Sequence, residues 1–186
     1  MISFILLTTA FAVYFTSQTA PVKRRYIYPN PYQELITTHA RANGIPAALV
    51  ASVIMHESKF AENAKSHRGA LGLMQIMPET GKWIAGELSD ESFSPEDLKN
   101  PETNIRYGTW YLGWLLRDFG GNEALALAAY NAGRSTVREW AEERGWRDDF
   151  DDADDIPYEE TRLYVRRVLK DRKNYEKLYP DMKIPR

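Results

Sequence analysis

The reading of the fold turns on Pro46-Ala47-Ala48-Leu49-Val50-Ala51-Ser52-Val53-Ile54-Met55-His56-Glu57-Ser58. Proline suits the first turn of a helix, where its missing N–H costs nothing, and the apolar run behind it predicts a helix from Pro46 to about Asn63. At about 100° per residue, Leu49, Val50, Val53, Ile54 and Glu57 share one stripe, while Ser52, Met55, Ser58 and Lys59 fall on the other side. A glutamate in an apolar stripe faces low-dielectric surroundings. Desolvation raises its pKa, and a carboxyl still protonated near neutral pH is what a general acid needs. The same pattern also fits a buried ion pair with one of the 24 lysines and arginines.

Working outward, the punctuation remains helical, with proline just inside the starts and glycine just past the ends. Asn30-Pro31 opens a helix closed by Gly44. Met77-Pro78-Glu79 opens a short one ending near Gly86, and Asn100-Pro101 starts the longest, which ends before Gly120-Gly121. Asn122 caps a segment up to Gly133, Ser135 begins one ending at Gly145, and Pro157 precedes a last helix reaching Tyr179. These are about seven helices. On the long helix Ile105, Gly108, Tyr111, Leu112, Leu115 and Phe119 form one core-facing stripe. On the last, Leu163, Val168, Leu169 and Tyr175 do so, opposite a solvated basic face of Arg166, Arg167, Lys170 and Lys173.

Between the second and third helices, Gly69-Ala70-Leu71-Gly72-Leu73-Met74-Gln75-Ile76-Met77-Pro78 carries no charge. A loop this apolar lines a cleft, with Gln75 as its polar contact. It lacks the Gly-Lys-Ser/Thr ending of a phosphate loop. Ala129-Tyr130-Asn131-Ala132-Gly133 ends a helix, where Tyr130 and Asn131 either meet a ligand or serve packing and capping. His56-Glu57 would suit a zinc protease only with a second histidine at position 60, which is Phe60, and Ser58 has no histidine at useful spacing.

Composition narrows the classes further. The 186 residues contain no cysteine and three histidines, which removes disulfides, thiolate chemistry and sulfur-based zinc sites. The net charge of −2 argues against nucleic acid as a partner. No metal or other cofactor is expected. The acidic run Asp148, Asp149, Asp151, Asp152, Asp154 and Asp155 does not follow the calcium-loop pattern and reads as a flap beside the cleft or an ion site.

Taken together, Glu57-Ser58, Gly72-Leu73-Met74-Gln75-Ile76-Met77-Pro78, Ala129-Tyr130-Asn131-Ala132-Gly133 and Ile156-Pro157-Tyr158-Glu159-Glu160-Thr161-Arg162-Leu163-Tyr164-Val165 resemble the catalytic domain of soluble lytic transglycosylases. The four blocks stand in family order, and Asn100-Pro101-Glu102-Thr103-Asn104-Ile105-Arg106-Tyr107-Gly108 supports them. The resemblance implies a mainly α, lysozyme-like α+β fold, its helices around a cleft with a small glycine-rich loop or minimal β element. It implies cleavage of the β-1,4 bond between N-acetylmuramic acid and N-acetylglucosamine, leaving a 1,6-anhydromuramic end. Glu57 is then the catalytic acid and afterwards the base, assisted by the substrate's own 2-acetamido group. Ser66, Gln75, Met77, Tyr130, Asn131 and Glu160 match the family's substrate-binding positions, and peptidoglycan glycan strands are the implied partner. A goose-type lysozyme, or a catalytically idle peptidoglycan-binding module, shares parts of this pattern. The resemblance also fits the residues, since no second acid accompanies the blocks around Gln75 or Asn131 and a two-carboxylate glycosidase needs one.

The amino terminus reads separately. Residues 1–15 carry no charge and are followed by Lys23, Arg24 and Arg25, so residues 1–25 are expected to be a signal peptide or membrane anchor plus a basic linker. Anchorage would run through residues 1–16 and place a domain of residues 26–186 outside the cytoplasm, in the cell envelope, anchored or secreted. Basic residues after the apolar run pull the other way by the positive-inside rule. Without residues 1–25 the body holds 21 basic and 26 acidic residues, a charge of −5.

Overall fold

In the computed structural model, residue 14 and residues 16–182 are described. The uncharged run of residues 1–15 lies outside them apart from Tyr14. Seven helices of ten or more residues build the described part: α1 Gln33–Asn43, α2 Ala47–Glu57, α3 Pro78–Glu87, α4 Pro101–Asp118, α5 Glu123–Ala132, α6 Arg134–Arg144 and α7 Glu159–Leu178. Short 3-10 turns at Pro95–Lys99, opened by Pro95 behind a Ser94–Asp97 capping box, and at Ala153–Asp155 precede α4 and α7. Among the described residues, β structure is limited to two isolated antiparallel bridges, Lys65 to Leu71 and Leu71 to Ile76. The fold is the expected mainly helical arrangement with a minimal β element.

The caps explain why the helices start and stop there. Asn100 Oδ1 accepts from the N–H groups of Glu102 and Thr103 while Pro101 occupies the first turn of α4. Asn122 Oδ1 accepts from Leu125 N–H at the start of α5. Gly44 and Gly145 close α1 and α6 at φ 68° and 69°, left-handed values that a side chain makes costly.

Helix α2 differs from its sequence reading in two ways. It stops at Glu57, six residues before Asn63, because Ser58 and Lys59 bond back to Ile54 and Met55 while Lys59 and Phe60 turn left-handed at φ 52° and 64°. It is also buried all round, since every residue from Ala47 to Ile54, Ser52 included, is inaccessible. Ser52 therefore does not face solvent. Its hydroxyl donates to Val168 O at 2.8 Å, tying α2 to α7 through the core and satisfying a group that would otherwise cost about 1–3 kcal/mol.

Helix α2 runs through the middle of the molecule against α7, with α1 packed on α4 and α5 wedged between α4 and α7. The inward face of α7 is Thr161, Val165, Val168 and Tyr175. Leu163 points outward, while Val168, Leu169 and Tyr175 of the expected stripe lie on the inward side. Arg166, Arg167, Lys170 and Lys173 form its exposed side.

Ahead of α1, the chain packs along the carboxyl half of α7. Arg24 Nε donates to Leu178 O at 2.7 Å, and Tyr175 and Tyr179 donate their hydroxyl protons to the carbonyls of Pro29 and Tyr28. No helix of the described residues is long and apolar enough to cross a membrane.

Candidate active site

Because α2 ends at Glu57, its carboxyl emerges from the core where the buried helix meets the loop, neither fully enclosed nor free in water. Burial pushes its pKa from 4.5 up to about 7, opposed in part by the neighbouring Tyr164 hydroxyl. Among the described residues no ion pair involves Glu57, so the buried-pair alternative is not the one adopted. Near neutral pH the carboxyl is about half protonated and can give or take a proton.

Two tyrosines flank it. Tyr130, at the end of α5, donates to Met74 O at 2.7 Å, and burial together with the nearby Glu57 charge holds its phenol well above the usual range. Tyr164, from α7, is raised by the same causes. Its hydroxyl stands beside Glu57 but has no partner at full hydrogen-bond geometry, one of few buried polar side-chain atoms in that position. Its phenolic proton therefore stays on and can only be donated.

Loop 64–77 forms a wall tied to Tyr130 through Met74 O. Gln75 sits at φ 49° and donates through Nε2 to Gly72 O at 2.8 Å and Ala64 O at 3.2 Å. Its amide donors thus brace the loop, where the sequence reading had Gln75 as a cleft contact. Ser66 Oγ accepts from Ala70 N–H at 2.9 Å, closing the adjoining turn and leaving its own proton to donate. Met77, at the start of α3, is 40% exposed and supplies an apolar rim. Asn131 Oδ1 accepts from Thr161 Oγ1 at 2.8 Å, which locks α5 to the first turn of α7, where Glu160 is exposed.

Sequence reasoning assigned no part to Asn104, which organises this wall. It is fully buried on α4, accepts from Met74 N–H at 2.7 Å and donates to Leu71 O at 2.9 Å and Leu98 O at 2.7 Å. Gly72, at φ 74°, has no room for a Cβ beside the Asn104 amide and Leu98 O, and Gly108 has none against Met74. The signal was present in the Asn100–Gly108 stretch, but its use depends on a loop about 30 residues away.

His56 is a supporting residue behind the site. It faces α7, where its Nε2 lies 2.9 Å from Asp171 Oδ2, and Tyr28 and Asn174 donate to Asp171 Oδ1. The His56 ring packs edge-on against Tyr164, the ring that reaches Glu57. The acidic run is dispersed. Asp154 pairs with Arg166, Asp152 caps Asp154 N–H, and Asn122 holds the carbonyls of Asp148 and Phe150. No group of three or more acidic or histidine side chains converges on a metal-sized site among the described residues.

The likeness to known proteins follows the same residues. The soluble lytic murein transglycosylase of Salmonella typhimurium is 39% identical over 144 residues, covering 76% of this chain and 22% of that protein. The crystal structure of the 70 kDa soluble lytic transglycosylase of Escherichia coli aligns at TM-score 0.77 and 36% identity, over 83% of this chain and 25% of that one. An inactive glutamate-to-glutamine mutant of lytic transglycosylase Slt from Pseudomonas aeruginosa aligns at TM-score 0.75 and 29% identity, over 94% of this chain and 30% of that one. The chain thus spans between a fifth and a third of the length of these relatives. The transglycosylase SLT domain model matches residues 34–152, well over half of the chain, and the protein belongs to that family.

Proposed function

We propose that this chain is a peptidoglycan lytic transglycosylase and that Glu57 is its single catalytic group. The observation that carries the reading is a desolvated carboxyl with a pKa of about 7 that is partly exposed and, among the described residues, in no ion pair. In its protonated form Glu57 gives its proton to the glycosidic oxygen as the bond from C1 of N-acetylmuramic acid breaks. The substrate's 2-acetamido oxygen bonds to C1 and carries the positive charge. The Glu57 carboxylate then takes the proton of the muramoyl 6-hydroxyl, whose oxygen displaces the acetamido oxygen at C1. Glu57 ends protonated, ready for another cycle, and no water enters the products. An acid poised near the working pH serves both steps, a general acid–base contribution of about 10²–10⁴ in rate.

Within this reading Tyr164 and Tyr130 surround the carboxyl, and Ser66, Met77, Asn131 and Glu160 line the path of the glycan. Gln75 contributes by holding the loop. Residues 26–186 form the catalytic domain. The uncharged residues 1–15 and the basic linker deliver it to the cell envelope, anchored or secreted, a reading supported by their composition and by relatives named membrane-bound lytic murein transglycosylases.

The test is mass spectrometry of soluble products from purified peptidoglycan digested by the full chain and by its Glu57→Gln variant. The expected products are one water lighter than hydrolytic muropeptides and absent with the variant. Reducing-end products would instead identify a hydrolase of the goose-lysozyme kind, and equal release by both proteins would remove Glu57 from the chemistry.

A further inference from the structure

Helix α7 carries a stripe that neither the core nor the acid–base chemistry uses. At about 100° per residue, Leu163, Arg166, Arg167, Lys170, Lys173 and Lys177 fall within one arc of about 120°, and all are exposed. The arc lies opposite Thr161, Val165 and Val168, which are buried, so it points away from the centre of the molecule. Of its cations, only Arg166 has an ion-pair partner among the described residues, Asp154. The acids of this half of the helix are engaged elsewhere: Asp171 faces His56 and Tyr28, and Glu176 accepts from Arg172 Nε at 3.0 Å. Like charges three and four apart on a helix repel, so the stripe works against the helix that carries it. It does so in a body whose net charge, without residues 1–25, is −5.

The chain entering the fold comes down at the same place. Behind the uncharged residues 1–15, the segment Lys23–Ile27 closes onto the carboxyl end of α7, where Arg24 Nε donates to Leu178 O at 2.7 Å and its guanidinium lies over the Tyr179 ring. Arg25, Tyr26 and Ile27 beside it are exposed, Tyr26 by 77%. An apolar run, an exposed tyrosine and a face of unpaired cations together suit one kind of surface. Acyl chains take up apolar residues, the headgroup layer favours tyrosine, and anionic headgroups attract lysine and arginine.

We propose that Arg167, Lys170, Lys173 and Lys177 of α7, with Arg25 beside its carboxyl end, form a docking face for an anionic lipid surface. Docking by this face keeps α7 between the lipid and α2, whose end carries Glu57, so the carboxyl stays on the side away from the lipid. The proposal deepens the envelope reading and rests on it for the nearness of a membrane, whereas the charge preference itself needs neither an anchor nor turnover.

The test is partition of the full chain onto vesicles of phosphatidylcholine alone and of equal parts phosphatidylcholine and phosphatidylglycerol, beside a variant carrying Arg167→Gln, Lys170→Gln, Lys173→Gln and Lys177→Gln. Any contribution of residues 1–15 acts on both vesicles and cancels in the ratio of anionic to neutral partition. That ratio should fall about fivefold for each cation removed, on the order of a hundredfold or more for the four, and should fall in the parent as salt is added. The chain has no cysteine, so Leu163→Cys places a single environment-sensitive dye on the stripe and Glu87→Cys a control dye on α3. The dye at position 163 should respond to the anionic vesicles and the control should not. An equal ratio in parent and variant, or a dye at 163 that responds no more than the control, would overturn the docking face. So would an equal response to soluble poly(glycerol phosphate) at the same phosphate concentration, which would make a wall polymer the partner. An anionic preference that depends on the four cations, in a protein that does not bind neutral vesicles, would keep the face and remove the anchor reading alone.

Discussion

The loop of residues 64–77 and the helix end at Glu57, joined through Tyr130, treat their polar groups in opposite ways. The loop is braced from within by side-chain amides. Gln75 braces Gly72 and Ala64, Ser66 closes on Ala70, and Asn104 reaches in from α4 to bind Met74, Leu71 and Leu98. At the helix end, among the described residues, Glu57 pairs with no cation and Tyr164 Oη has no partner of full hydrogen-bond geometry. The contrast separates support from chemistry. A satisfied wall is rigid because each group would be costly to free, and an unsatisfied pair is reactive because its interactions await a substrate.

Breaking the reactive side has the largest expected effect. Glu57→Gln should lower product release at least about a thousandfold, within the usual span of a general acid–base group. The same change should stabilise the fold, and the sign follows from the proton balance. A carboxyl raised from 4.5 to about 7 binds more protons folded than unfolded between those values, so stability falls as pH rises through that window and stays low above it. Thermal unfolding at pH 8 should therefore favour Glu57→Gln by about 3 kcal/mol, with little difference at pH 4. A variant no more stable than the parent at pH 8 would mean that burial does not strain the charge.

Breaking the wall comes next. Gly72→Ala places a Cβ against Leu98 O and the Asn104 amide at a φ of 74°, and should cost about 3 kcal/mol in urea unfolding, with activity falling alongside. Asn104→Ala removes three buried hydrogen bonds and should cost a similar amount. Loss of activity without loss of stability in either variant would give the loop a direct chemical part.

Tyr164→Phe sharpens the comparison, because it removes the hydroxyl that favours the Glu57 carboxylate while leaving the ring. The alkaline limb of the pH–rate profile should move upward, since the contact that lowers the Glu57 pKa is gone, with a rate loss of about tenfold and little change in stability. A profile that does not move would assign Tyr164 to packing. Asp171→Asn, behind His56, should have the smallest effect, about 1 kcal/mol of stability, checked by the same unfolding experiment.

Much of this was legible in the sequence wherever a residue type dictates local geometry. Proline and asparagine at the starts of α4 and α5, and Gly44 and Gly145 after α1 and α6, mark helices to within a few residues. The end of α2 was not legible, because its left-handed residues are Lys59 and Phe60, for which no glycine gives warning. The stripe of α2 misplaced Ser52 for a related reason. A helix at the centre of a domain is buried on every side, and its one hydroxyl finds a carbonyl on α7 that is 116 positions away. The candidate site shows the same division. Glu57 stood out as a charge on an apolar helix, while the spending of the Gln75 donors and the pairing of His56 with Asp171 depend on tertiary contacts that no spacing reveals.

The central claim is that Glu57 keeps its proton into the neutral range, and the most direct measurement is a carbon-13 NMR titration of its side-chain carboxyl in the full chain, assigned by comparison with Glu57→Gln. The account predicts a midpoint at about 7, moving higher in Tyr164→Phe. A midpoint near the ordinary 4.5, unmoved by Tyr164→Phe, would contradict it, since a carboxylate ionised at that pH has no proton to give the glycosidic oxygen.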